Sequence, residues 1–341
     1  MQILLPKKLN TDSKIHLVPI SSPVQKSDAE LFADAVKRLK EAYPHTKVFD
    51  IQHKNLDPRY LAGSENERLR ILKRAIREGA NWLIPIYGGT GCADVVRYIR
   101  KEDLALIRKY RPIVNGFSDA TFLLNFLWFK IKLVTFHFSN ACGLFYYTNH
   151  EDFFDAISGK ITTLSYHRPE YSWLTPNNTG PSEPIVGTAI GGNLGTFRDL
   201  LDICQIKPRS WEDYILFVED IDLDMEDLHR IIISLDQKGV FMHVKAVVLG
   251  LMNEKSFRKS WMQLNRTFTN ESMADHMFEY LISDVIEERT EDRDPLYILK
   301  VNDFGHEDPA HGAKDQMVIP IGAQTTLHPD GTIEFKGPFV E

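Results

Sequence analysis

Cys92 lies in Ile86–Val96 (IYGGTGCADVV), where a short apolar run meets a glycine-rich turn just before a helical pattern. Glycines permit left-handed backbone and close approach of a substrate to main-chain N–H groups. A thiol at a helix N-terminus has its thiolate stabilised by the helix dipole. The segment therefore reads as a nucleophile elbow, in which the N–H after the nucleophile helps bind an oxyanion. Two other readings stand beside it. One is a phosphate-binding turn, although GGTG has neither the GxGxxG nor the GxxxxGK[ST] spacing. The other is a tight turn around a buried, inert cysteine.

Leu216–Asp220 (LFVED) is an apolar strand that delivers two carboxylates at its end. Glu219 there can orient a histidine as the third member of a triad; the plainer role, for Asp220 especially, is a helix N-cap. His306 falls in Asp303–His311 (DFGHEDPAH), a loop in which an imidazole can serve as general base. A metal site built with Glu307, Asp308 and His311 is the rival reading. Pro309 breaks any helix that would align those ligands, and no HExxH is present, so no metal is expected. Cys142 and Cys204 sit in apolar contexts that read as buried structural thiols. Gly191–Leu194 (GGNL) reads either as an anion-binding turn or as a close-packing turn.

The elements that must position these residues alternate between strand and helix. Lys14–Pro19 is a strand and Ala29–Ala42 an amphipathic helix with Leu31, Phe32, Ala35, Val36 and Leu39 on one face. Glu65–Gly79 (helix), Trp82–Tyr87 (strand), Ala93–Arg100 (helix) and Pro112–Asn115 (strand) follow. Ser118–Thr121 is expected to cap an apolar helix, Phe122–Trp128. This alternation predicts a Rossmann-like parallel α/β domain over 1–166, with ligand sites at the strand C-termini. A polar, proline-bearing linker is expected over 167–184, and a smaller α/β domain with a β-rich portion over 185–341. Its elements are strands at Ile185–Ile190, Tyr214–Val218 and Ala246–Leu251, a helix at Met225–Lys238, and short strands at Met317–Ile321 and Thr332–Phe335. The charged stretch Asn253–Asp294 is long for a connection and reads as a lid.

Composition narrows the function classes. Forty Lys+Arg against 47 Asp+Glu give a net charge of −7 with no basic run, which argues against a nucleic-acid binder. The 341 residues, 43% hydrophobic and 26% charged, suit a globular chain with a large core. Three cysteines make no disulfide framework and fit a reducing compartment. The N-terminus is too short an apolar run for a signal peptide, and Phe122–Phe138 is interrupted by Asn125, Lys130 and Lys132. A cytoplasmic protein without membrane partners is expected.

Taken in order, several segments resemble the LD-carboxypeptidase family of serine peptidases, microcin C immunity proteins included. They are Ser21-Ser22-Pro23 after the first strand, Gly88–Cys92 (GGTGC), Asn115–Thr121 (NGFSDAT), Gly191–Thr196 (GGNLGT), Phe217–Asp220 (FVED), His229–Phe241 running on to Val247–Gly250 (VVLG), Gly305-His306, and Ile319–Leu327 (IPIGAQTTL). The resemblance implies a two-domain, cofactor-free, commonly homodimeric hydrolase that cleaves an amide next to a free carboxylate. Its substrate would be a murein tetrapeptide, or a peptidyl or aminoacyl-adenylate-like toxin. Carried over by position, the triad is Cys92, Glu219 and His306. The oxyanion donors are the N–H groups of Gly89 and Ala93, and Asp94, Ser118, Asp119, Gly191 and Asn193 are expected to contact substrate. The family nucleophile is serine and its second following residue Arg or Asn, where this chain has Cys92 and Asp94. A thiolate–imidazolium pair is a competent acyl-transfer nucleophile. The change is equally compatible with a binder that does not turn over, or with an acyltransferase using the same thiol. A carboxylate at Asp94 is expected to raise the thiol pKa and repel a substrate carboxylate.

Overall fold

The computed structural model describes residues 2–49, 60–167, 170–174, 179–208, 210–221, 223, 225–252, 296–306 and 315–341. The expected lid over Asn253–Asp294 lies outside these residues, as do Glu307, Asp308 and His311 of the rival metal reading.

The first half alternates as its sequence pattern requires. Strand β1 (Ile15–Val18) is fully buried and leads to helix α1 (Ala29–Ala42), which turns Ala35 and Leu39 into the core. Strand β2 (Thr46–Val48) precedes α2 (Glu65–Arg77), which opens on a capping box between Ser64 and Glu67. Strand β3 (Trp82–Pro85) leads through the glycine turn to a short helix, α3 (Cys92–Val96). Cys92 is thus the first residue of its helix. The helix expected to run on to Arg100 stops at Val96, because Arg100 is extended and its N–H is taken by the Asp103 carboxylate at 3.0 Å. That bond starts a separate helix, α4 (Lys101–Tyr110).

Strand β4 (Ile113–Gly116) precedes α5 (Thr121–Ile131), a helix apolar all round and buried accordingly. The cap expected from Ser118–Thr121 is not formed. Ser118–Ala120 make one 3-10 turn, and the Asp119 and Thr121 side chains bond elsewhere, as described below. Strand β5 (Thr135–His137), α6 (His150–Ser158) and β6 (Thr163–Tyr166) complete this half.

A two-residue strand, β7 (Ser172–Trp173), lies in the stretch read as linker. Strand β8 (Ile185–Asn193) absorbs the Gly-Gly-Asn turn into its end and passes directly into α7 (Leu194–Ile203). Then come β9 (Tyr214–Asp220), α8 (Met225–Gln237), α9 (Val240–His243), β10 (Ala246–Met252), β11 (Tyr297–Lys300), β12 (Ile319–Ile321), β13 (Gln324–Leu327) and β14 (Ile333–Lys336).

Among the described residues these strands form two sheets. One has the order β12-β5-β4-β3-β1-β2, the other β6-β14-β13-β8-β9-β10-β11-β7. β1 to β5 are parallel, with β12 added antiparallel beside β5. β8 to β11 form a parallel centre in the second sheet, with β13, β14 and β6 antiparallel on one side and β7 on the other. Two strands therefore cross over in sequence: β6 completes the second sheet and β12, from near the chain end, completes the first. This is the mixed α/β architecture expected from the sequence.

The sheets are joined where it matters for the site. Asn125 of α5 accepts the Gly191 N–H at 2.9 Å and donates to the Gly191 carbonyl at 2.8 Å. Thr121 Oγ1 accepts the Asn193 N–H at 3.0 Å. Both main-chain groups of Gly191 are in this way satisfied by one buried side chain.

Candidate active site

The site gathers at the C-terminal ends of parallel strands: the loop after β3, the residues after β4, the end of β5, and the ends of β8 and β9. Open α/β sheets leave main-chain groups and short loops together at that edge.

Gly91 has φ +116°, and a Cβ there would lie 2.7 Å from Arg68 Nη1 and 2.8 Å from Leu61 Cδ2. Only glycine lets the chain pass so close to Arg68. The Arg68 side chain is fully buried and holds the turn from below. Its Nη1 donates to the carbonyls of Ile20 (2.6 Å) and Gly91 (2.7 Å), and its Nη2 pairs with Asp94 Oδ2 at 3.0 Å. Asp94 is thus anchored by a guanidinium. The Cys92 N–H donates to Asp119 Oδ2 at 2.8 Å, so Asp119 ties the loop after β4 to the first residue of α3. Gly89 and Ala93 flank Cys92 in the same turn and helix start, and Ser22 Oγ accepts the Thr90 N–H between them at 3.2 Å. Ser118, half-buried, takes a left-handed φ of 59° beside Gly88.

Cys92 is fully buried. Burial, and next the Asp119 carboxylate, push its thiol well above the ordinary range; Asp94 adds a smaller push and Arg68 a smaller pull. The expectation that the helix start stabilises a thiolate is therefore corrected. α3 is too short to offer much of a dipole, and a neighbouring carboxylate opposes ionisation. Asp119 is itself raised to about 6, by burial above all, against the bond from the Cys92 N–H.

Glu219, the last residue but one of β9, has no exposed surface, and its register partner is Asn193. Its Oε2 stands 2.6 Å from His306 Nδ1 and accepts the His306 main-chain N–H at 3.2 Å. Burial works against the charge of Glu219, but the nearby imidazoles, His306 first, outweigh it and hold the carboxyl below its usual value. A buried carboxylate on Nδ1 fixes the tautomer in which Nε2 handles the proton to be moved.

Asp220, the neighbour of Glu219, has the capping role, but for a different helix from the one that follows it. It accepts the Gly195 N–H of α7 and the Asn193 side-chain amide, each at 2.8 Å, while Asn193 Oδ1 accepts the Thr196 N–H at 3.0 Å. Burial, then the charge of Glu219, raise Asp220 to about 6. The main-chain N–H groups around Gly191–Thr196 are in this way taken up by Asn125, Thr121, Asp220 and Asn193. The anion such a turn would attract is already supplied by the protein, which favours the close-packing reading of GGNL.

Sequence reasoning missed two neighbours. His137, at the end of β5, is fully buried, and burial lowers it to about 4. Phe117 packs against both imidazoles, its ring 4.6 Å from that of His306 and 5.2 Å from that of His137. A histidine within the apolar run of β5 reads as core, so only its spatial neighbours reveal its place. Arg68 did leave a signal: it occupies the apolar face of α2 with Ile71, Leu72, Ala75 and Ile76. Cys142 is buried and Cys204 half-buried. Among the described residues no three His, Cys, Asp or Glu are grouped to hold a metal ion, and no helix is long and apolar enough to cross a membrane.

Residues 15–138 match the LD-carboxypeptidase N-terminal domain and residues 186–327 the LD-carboxypeptidase C-terminal domain. The chain belongs to the LD-carboxypeptidase family. Among curated relatives of this family member is a carboxypeptidase-named protein of Vibrio cholerae, 26% identical over 73% of this chain and 79% of the relative. The probable murein peptide carboxypeptidase of Bacillus subtilis is 28% identical over 69% of this chain and 70% of its own. Similar solved folds include the microcin C7 self immunity protein in complex with aspartyl sulfamoyl adenosine (TM-score 0.75, 19% identity, 99% of this chain and all of that one). Another is the muramoyltetrapeptide carboxypeptidase of Oxalobacter formigenes (TM-score 0.69, 21% identity, 96% of this chain and all of that one). At these identities the structural likeness speaks for the LD-carboxypeptidase fold.

Proposed function

We propose that the protein is a carboxypeptidase-type amide hydrolase with Cys92 as nucleophile, His306 as proton carrier and Glu219 as the carboxylate that orients it. The reading rests above all on one observation: a fully buried Glu219 bonded to His306 Nδ1 at 2.6 Å. An isolated buried carboxylate is costly, and a hydrogen-bonded imidazole is what makes it useful.

As Sγ attacks the scissile carbonyl carbon, His306 takes the thiol proton and a C–S bond forms. The oxyanion is met by the N–H groups of Gly89 and Ala93; that of Cys92 is already engaged by Asp119. The C–N bond breaks as His306 passes its proton to the leaving amine. A water, deprotonated by His306, then cleaves the thioester, releasing the acid and restoring the thiol. Because burial and Asp119 keep Cys92 protonated at rest, deprotonation is coupled to attack, as for a serine nucleophile.

The substrates proposed are a short peptide ending in a free carboxylate, such as a murein tetrapeptide, or an aminoacyl-nucleotide conjugate. These are the ligand classes named for the relatives above. The test is hydrolysis of a murein tetrapeptide and of an aminoacyl-sulfamoyl adenosine by the native protein, Cys92→Ala and Cys92→Ser. Turnover by the native protein that vanishes in the alanine variant is expected; full turnover in that variant overturns the mechanism. A second reading, ligand binding without turnover, is favoured by the raised thiol of Cys92, and binding by an inert native protein would establish it. Homodimer assembly is part of the proposal and is checked by sedimentation of the full chain.

A further inference from the structure

Ser22, in the loop after β1, grips the glycine turn ahead of Cys92 at two points. Its main-chain N–H donates to the Gly88 carbonyl at 3.0 Å, and its Oγ accepts the Thr90 N–H at 3.2 Å. Gly89, between those two contacts, has φ +91°, and a Cβ there would run into Ser22 Oγ and lie 2.7 Å from Ser22 Cβ. Only glycine admits both that backbone and that approach. The gripping segment is itself anchored. Arg68 Nη1 donates to the Ile20 carbonyl at 2.6 Å, and the Ala62 N–H donates to the Ser21 carbonyl at 3.1 Å. Pro23 follows, its φ fixed by the ring.

These contacts sort the main-chain donors of the turn. A trans peptide sets its C=O and N–H on opposite sides. The Gly88 carbonyl, held toward Ser22, therefore turns the Gly89 N–H away from it. Among the described residues no group accepts that N–H. The next N–H, of Thr90, is taken by Ser22, and the Cys92 N–H is taken by Asp119 at 2.8 Å. Two side chains from other loops thus occupy the donors on either side of Gly91 and leave the Gly89 N–H open.

We infer that Ser22 is a positioning residue for the oxyanion donor: by holding the Gly88 carbonyl and the Thr90 N–H, it aims the Gly89 N–H at the oxygen of the scissile carbonyl. A glycine has a wide choice of backbone states, so such a donor needs support from outside the turn. A donor that is aimed before the reaction stabilises the developing charge without reorganising, and a swinging one does not. The inference rests on the hydrolase reading above, in which Gly89 meets the oxyanion.

The test uses the full chain in native, Ser22→Ala and Ser22→Thr forms, grown with glycine carrying 13C at the carbonyl and 15N at the amide. Only Gly-Gly pairs then give a coupled amide signal, and the sequence has two, Gly88-Gly89 and Gly191-Gly192. Gly88→Ala deletes the first and so assigns the Gly89 signal. Three quantities are read: that signal, the rate of Cys92 alkylation by iodoacetamide, and kcat with KM on the substrate that the native protein cleaves. Ser22→Ala is expected to shift or broaden the Gly89 signal and leave that of Gly192 in place. Its kcat is expected to fall about tenfold with KM within about twofold, less than the loss on deleting an oxyanion donor outright. Alkylation forms no acyl oxyanion, so its rate is expected to stay near native. Ser22→Thr, which keeps the hydroxyl, is expected to restore the Gly89 signal and kcat. An unchanged Gly89 signal in Ser22→Ala overturns the inference, as does an unchanged kcat in a protein that turns over. Alkylation altered as much as kcat would mean that Ser22 acts on the thiol instead, and also overturns it. A threonine variant as slow as the alanine one, with its fold intact by circular dichroism, does the same. If the native protein cleaves neither substrate but the Gly89 signal still depends on Ser22, the aiming of the N–H stands and the hydrolase reading falls.

Discussion

At Cys92 two tendencies meet, and their magnitudes decide the outcome. A helix start favours a thiolate by at most about 1 kcal/mol at an exposed site, whereas complete burial and an adjacent carboxylate each work more strongly against it. The thiol is therefore the resting form. Alkylation of Cys92 by iodoacetamide, followed by peptide mapping to separate it from Cys142 and Cys204, is expected to be slower than for a free thiol at pH 8. Asp119→Asn keeps an acceptor for the Cys92 N–H but removes the charge, and is expected to speed alkylation by roughly tenfold. A native thiol that reacts fully at neutral pH would instead mean a preformed thiolate–imidazolium pair. Glu219→Gln keeps the shape of the side chain while removing the charge that sets the His306 tautomer. It is expected to lower kcat by roughly 100- to 10,000-fold with little change in KM, as seen by steady-state kinetics on the cleaved substrate.

The elements around the site are held by a few buried polar side chains that reach between them. Arg68, on α2, links the end of β1 to the turn before α3 through two carbonyls and to α3 itself through Asp94. Arg68→Met would keep the bulk and leave those acceptors buried without donors. A loss of roughly 3 kcal/mol in urea unfolding is expected, because an unmet buried acceptor costs more than a made bond contributes. Activity should fall with it even at temperatures where the variant is folded, since the Cys92 turn loses its support. Asn193 joins β8, α7 and Asp220. Asn193→Ala is expected to cost about 1–2 kcal/mol for the lost cap, read as a lowered urea midpoint with an unchanged slope.

For the whole molecule, stability against pH has opposing contributions. His16, buried beside Phe49, is lowered to about 4 by burial, with Glu78 partly offsetting it. The unfolded chain therefore binds the His16 proton first, and stability is lost as pH falls below about 6.5 until the folded group titrates near 4. At pH 5 the loss from such a histidine is on the order of 2 kcal/mol relative to pH 8. Asp119 and Asp220, raised to about 6, act with the other sign: the folded state takes up their protons first, so stability is gained as pH falls from about 6 towards 3.8. His16→Leu isolates the first contribution. Its urea midpoint is expected to fall less than the native one between pH 8 and pH 5, and an identical decline in both proteins would show that His16 is not the group responsible.

Local pattern determined much of this protein. The apolar faces of α1 and α2, the buried strands β1, β3 and β9, and the glycine turn ahead of Cys92 are set by residue type and short-range spacing. Burial of apolar surface and the steric freedom of glycine act on a few neighbouring residues and leave their mark in sequence. The partners of long-range bonds leave none, and here only the tertiary structure decided. Asp119, read as a cap, reaches Cys92; Asp220 caps a helix that precedes it in the chain; β6 and β12 complete each other's sheets. His137 and Phe117 join His306 and Glu219 only once four strand ends meet. A carboxylate or an imidazole finds its bonds wherever packing places a donor or a ring, and that placement depends on residues far away in the sequence.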